Sequence, residues 1–110
     1  MKLNTPFYDL LERCNKVTIK HQQNYMKKNN GETWPLTDQL CLIHSEVSEV
    51  FDTLRRPQKY KSAGASFNEE VIDIMLSAIT LLQLIGKPSD VILEEFNRGL
   101  KKTEKRVGIK

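Results

Sequence analysis

The chain has 110 residues, 39% of them hydrophobic and 28% charged, with a formal net charge of +3. That length suits one domain, and that composition excludes a disordered chain, a collagen or a disulfide scaffold. The excess of 17 Lys and Arg over 14 Asp and Glu is too mild to argue for a nucleic-acid partner. Cys14 and Cys41 make no metal-type cluster and suit a reducing cytoplasm. The opening MKLNTPFYDLLERC lacks the apolar core of a signal peptide. The most apolar run, Val71 to Ile85, is too short for a membrane span and is broken by Asp73 and Gln83. The expectation is a soluble cytoplasmic domain over residues 1–110, with a basic tail from about Lys101 and a core small enough to favour self-association.

Three breaks divide the chain into four helical segments. Thr5 is a good N-cap and Pro6 suits the first helical position. Phe7, Leu10, Leu11, Cys14, Val17 and His21 then recur at helical spacing. The pattern fades near Tyr25, and Asn29-Asn30-Gly31 supplies a stop. A loop, Glu32 to Leu36, carries the only tryptophan, Trp34. Thr37 can cap the second helix, whose apolar stripe is Leu40, Ile43, Val47, Val50, Phe51 and Leu54. It stops at Arg55-Arg56-Pro57, and the basic segment Pro57 to Ala65 follows. Ser66-Phe67-Asn68-Glu69 matches a capping box and starts the third helix, which runs to Ile85 before Gly86-Lys87-Pro88. Ser89 and Asp90 open the fourth, through Val91, Ile92, Phe96 and Leu100. Nothing reads as a strand, so the expected fold is an all-α, four-helix bundle-like domain.

Two acidic pairs stand three residues apart, Glu46/Glu49 and Glu70/Asp73, and each pair shares one helix face. Spacing alone is weak, because Asp9/Glu12 and Glu49/Asp52 show it too. Asp9 and Glu12 lie near Arg13 and Lys16 and read as ordinary surface acids. The third helix is different. Its apolar residues cover most of the circumference, which predicts burial, and Glu70, Asp73, Ser77 and Thr80 form its one polar stripe, about 80° wide. No basic residue lies between Phe67 and Gly86. Buried carboxylates need basic partners, raised pKa values or a cation. On the second helix Glu46 and Glu49 lie about 85° and 145° from the centre of the apolar stripe. If the two helices are antiparallel neighbours, four carboxylates converge, a hard oxygen set suited to Mg²⁺ or Mn²⁺.

Leu42–Arg56 (LIHSEVSEVFDTLRR) and Asn68–Leu82 (NEEVIDIMLSAITLL) resemble the MazG-like group of the all-α NTP pyrophosphatase superfamily, whose motif is E-x-x-E, a loop, then E-x-x-D. Here it reads Glu46-Val-Ser-Glu49, a 20-residue gap, then Glu70-Val-Ile-Asp73, and the likeness extends over roughly Thr37 to Arg106. The resemblance implies Mg²⁺-dependent hydrolysis of a nucleoside triphosphate to the monophosphate and pyrophosphate, with Glu46, Glu49, Glu70 and Asp73 as catalytic and metal-holding acids. It also implies a homodimer or homotetramer. The family's last helix carries a Lys and an Asn-x-x-Arg ending that contacts phosphate. Lys102 and Arg106 stand at those places, with Thr103 where Asn is usual.

A triphosphate carries about four negative charges and cannot approach four acids without bridging cations. Arg55, Arg56, Lys59 and Lys61, or Lys102 and Arg106, are candidates to neutralise the outer phosphates, and Glu49 to take a proton from the attacking water. Trp34 can stack on a base or plug the core beside Pro35; Tyr60 and Phe67 are weaker versions of the same choice. His44, close to the apolar stripe, reads as a packed histidine. Three other readings stand beside this one: a non-catalytic helical dimerisation or nucleotide-binding module, a nucleic-acid binder acting through the basic loop and tail, and the same fold with a modified or phosphoribosyl nucleotide as substrate.

Overall fold

The computed structural model describes residues 6–56 and 67–109. Four helices account for most of them: α1 (Pro6–Lys28), α2 (Leu36–Arg55), α3 (Phe67–Leu84) and α4 (Ser89–Arg106). No strand occurs among the described residues, so the chain is all-α as expected. None of the helices is long and apolar enough to cross a membrane. Thr5, the basic segment from Pro57 with Lys59, Tyr60 and Lys61, and the Ser66 cap lie outside the described residues.

The helix ends follow from local chemistry. α1 runs three residues beyond Tyr25, and Asn30 and Gly31 then turn the chain with φ of 55° and 83°. α3 and α4 end alike. Gly86 N–H returns to the Gln83 carbonyl and Lys87 N–H to that of Leu82; Gly108 and Ile109 do the same to Lys105 and Glu104. Both are Schellman stops, with the glycines at φ 89°. The basic end of α4 is therefore an ordered helix through Arg106. Thr37 does not cap α2: the helix starts one residue earlier, at Leu36, on the extended Pro35. Proline there has its φ already near the helical value.

α3 packs against α2 and α1, and α4 packs along α1. Two half-buried side chains, the Gln83 amide and the Glu12 carboxylate, fasten these contacts. Gln83 accepts from the Thr18 hydroxyl (2.7 Å) and donates to the Leu11 carbonyl (3.0 Å), so it ties α3 to α1. Glu12 accepts from Tyr8 (3.0 Å) and from Ser89 (3.0 Å), the latter joining α1 to the first residue of α4. Glu12 is thus half-buried in a hydrogen-bond node, and no ion pair with Arg13 or Lys16 occurs among the described residues. Phe7 meets Phe96 edge to face at 5.3 Å.

Three expectations about burial fail together. α3 has no buried residue, and Ile72, Met75 and Leu76 are exposed. The α2 stripe also faces outward at Leu40, Val47, Phe51 and Leu54, with His44 exposed beside it. What α2 buries is polar: Gln39 and Thr53. The physical reason is the arrangement. α4 leaves α3 to lie on α1, so the α2–α3 pair receives a helix on one side only. Leu11 and Ile92 are the only buried hydrophobic residues among those described. The result is a flat body, 46 × 46 × 23 Å, with a radius of gyration of 16.7 Å. A compact chain of this length would have about 13 Å. The helices match the expected set, but they do not close into a bundle within this chain.

Candidate active site

α2 and α3 run antiparallel. Gln39, early in α2, donates to the Ser77 carbonyl late in α3 (2.8 Å), while Glu49, late in α2, interacts with Glu70 at the start of α3. This reversal brings the two acidic pairs to one end of the helix pair. The sequence condition for convergence, antiparallel neighbours, is met.

The electrostatics show how close the acids are. The Glu70 carboxyl is pushed above its ordinary value, first by loss of water around it, then by the charges of Glu49 and Asp73, a hydrogen bond with Glu49, and the charge of Glu46. Glu70 and Glu46 are half-buried; Glu49 and Asp73 are exposed. Glu46 Oε1 is sealed from solvent and has no hydrogen-bond partner among the described residues. None of the four is in an ion pair with Lys or Arg among the described residues. A carboxylate oxygen left without water or donor is costly, and three neighbouring acids raise that cost.

A divalent cation was the expected remedy. The donor set fits one in kind: hard carboxylate oxygens, one of them unsatisfied, with no His or Cys needed. Among the described residues, however, no three of these groups converge as a ready ligand set in their present rotamers. The acids share a neighbourhood and not yet a coordination sphere.

Because Glu70 binds its proton more tightly when folded, its contribution to stability is largest in acid and declines as pH rises from the ordinary carboxylate range through its raised value. In EDTA, the melting temperature of the wild type should therefore fall across that window relative to Glu70→Gln, which gives a flatter profile. Parallel profiles would contradict the crowding.

Beside the acids is a cavity of about 190 Å³ between α1, α2 and α3. Trp34 walls it, with Thr18, His21, Gln22, Gln39, Leu42, Ser77 and Thr80 among its lining, and no charged Lys, Arg, Asp or Glu. Ser77 and Thr80 continue the polar stripe of α3 that begins with Glu70 and Asp73. Ser77 is four residues from Asp73, about 6 Å along the helix. Trp34 is held at two points: its backbone N–H donates to Gln22 Oε1 (2.7 Å) and its indole N–H to Gln39 Oε1 (3.0 Å). His21 and Tyr25 meet it edge to face. It is half-buried, a wall and not a core plug.

Among the described residues, no hydrogen bond or ion pair links Arg55, Arg56, Lys102 or Arg106 to the four acids; Lys59 and Lys61 lie outside those residues. Arg55 is exposed and its guanidinium lies 5.5 Å from the centroid of Phe51, on the outward stripe of α2. Arg56 pairs with Asp52 at 3.4 Å. Lys102 and Arg106 are exposed on the far turns of α4, which lies along α1. No hydrogen bond or ion pair among the described residues links either to the acidic group.

Gln22 and Gln39 escaped sequence reasoning. One signal existed for Gln39. It precedes Glu46 and Thr53 at steps of seven, a polar line beside the apolar stripe, and this line is the side α2 turns to α3. Against these observations, no protein-family model, no curated protein and no solved structure matches the chain.

Proposed function

We propose that this chain is a Mg²⁺-dependent nucleoside triphosphate pyrophosphohydrolase that cuts between the α- and β-phosphates. The observation that carries this is the sealed, partnerless Glu46 oxygen inside a group of four carboxylates with no basic partner among the described residues. Such a group is a poor choice for stability and a good one for holding cations. The resemblance of the two acidic motifs to the MazG-like group supports the same reading.

In this reading Glu46, Glu49, Glu70 and Asp73 would hold the metal, with Glu49 the acid least fully engaged by it. When bound, Mg²⁺ would neutralise the acids, engage phosphate oxygens and lower the pKa of a water. Glu49, exposed at the edge of the group, receives the proton of the attacking water. The uncharged cavity takes the base against Trp34, because a neutral pocket disfavours phosphate, while the acid end takes the phosphates through the cation. The ~6 Å between Ser77 and Asp73 along α3 suits the sugar that separates base from phosphate.

The protein acts as a homo-oligomer in this proposal. It exposes 8667 Å². A folded monomer of its 12.7 kDa exposes about 6,200 Å². The difference exceeds what one partner gives to a standard interface. The outward apolar residues of α2 and α3 are the surfaces a second copy would cover.

The test is direct. With Mg²⁺ and a panel of NTPs and dNTPs, the purified protein should release pyrophosphate and the monophosphate, and EDTA should stop it. Orthophosphate as the product, or no cleavage of any nucleotide, overturns the hydrolase reading. Tight nucleotide binding without cleavage would favour a binding module instead.

A further inference from the structure

We propose that Gln39 is a positioning residue that sets the width of the cavity and so selects the ring it admits, a flat, uncharged heterocycle. This rests on the reading of the cavity as the base-binding half of the site.

The argument begins with hydrogen-bond accounting. Gln39 is 3% exposed. Its Oε1 accepts from the Trp34 indole N–H and its Nε2 donates to the Ser77 carbonyl. An indole can only donate and a carbonyl can only accept, so the amide has one workable orientation. No other side chain of this length supplies an acceptor at one atom and a donor at the next. Glutamate would set a negative charge against the Ser77 carbonyl, and methionine would leave both groups unpaired.

Gln39 joins three walls of the cavity, the loop with Trp34, α2 and the α3 turn at Ser77, while α1 supplies a fourth through Thr18, His21 and Gln22. The indole is therefore fixed at its far edge by Gln39 and at its backbone by Gln22. A pinned ring keeps a slot of fixed width, and a slot of about 190 Å³ holds a base and excludes a whole nucleotide. His21, Ser77 and Thr80 also line it and can choose among ring substituents. None of this machinery overlaps the acids. Loss of Gln39 should weaken ring binding while leaving the chemical step largely intact.

Trp34 is the only tryptophan, so intrinsic fluorescence reports this cavity alone. Nucleosides, which carry no phosphate, should quench it in the wild type without added metal. In Gln39→Met the emission should shift and its anisotropy drop, nucleoside affinity should fall about tenfold, and KM should rise about tenfold with kcat changed less than threefold. Trp34→Phe should raise KM similarly, and adding Gln39→Met to it should do little more, because the two share one hydrogen bond. Unchanged quenching and KM in Gln39→Met overturns the proposal. So does a parallel loss of kcat and helical circular dichroism, which would mark Gln39 as a fold residue only. An active wild type whose fluorescence ignores nucleosides also overturns it. An inactive wild type that still binds nucleosides through Gln39 sinks the hydrolase reading and leaves this one standing.

Discussion

Glu46→Gln and Asp73→Asn should each lower pyrophosphate release by about a hundredfold or more, with the helical circular dichroism unchanged. The magnitude is that of removing one well-placed charged group from a site that stabilises developing charge. The amide keeps the shape of the carboxylate and loses only its charge, so packing offers no alternative explanation. Glu46 is the sharper of the two variants. Its sealed oxygen has no donor among the described residues, so the charge there is better explained by a ligand than by the fold. The melting temperature in EDTA should hold or rise in both variants, because each removes a charge from a repelling set. Hydrolysis at the wild-type rate in both would end the catalytic assignment.

Phe51→Glu is the second large effect. Phe51 is 59% exposed and sits in the outward row with Leu40, Val47 and Leu54. The wild type should sediment as a dimer or larger species at micromolar concentration and the variant as a monomer, with a melting temperature lower by about 5–10 °C. A wild type that sediments as a monomer removes the self-association proposal. A merely solvated Phe51 would tolerate Glu with neither change.

These two effects separate what was legible in the sequence from what was not. Several helix boundaries were legible because Pro6 and Pro88 have φ fixed near the helical value, while Gly31 and Gly86 take the positive φ that ends a helix and that other residues avoid. The meeting of Glu49 with Glu70 was legible as a condition: it needed antiparallel helices, and α2 and α3 are antiparallel. The direction of burial was not legible. Hydrophobic spacing at Leu40, Val47 and Phe51 says that a face requires cover and is silent on whether the cover comes from the same chain. The same silence hid Gln39. A polar residue one step beside an apolar stripe looks solvated until the stripe is seen to face outward. Gln83 illustrates the point in α3, where it counted in the sequence only as an interruption of an apolar run and in the structure fastens α3 to α1 at two atoms.

That only Leu11 and Ile92 are buried hydrophobics among the described residues has a consequence for the life of the chain. If copies complete one another's interior, folding and assembly become a single mass-action event. Resistance to heat and to proteases would then climb with the amount of protein made. A cell producing few molecules would hold mostly short-lived ones, and abundance would tune activity more steeply than copy number alone.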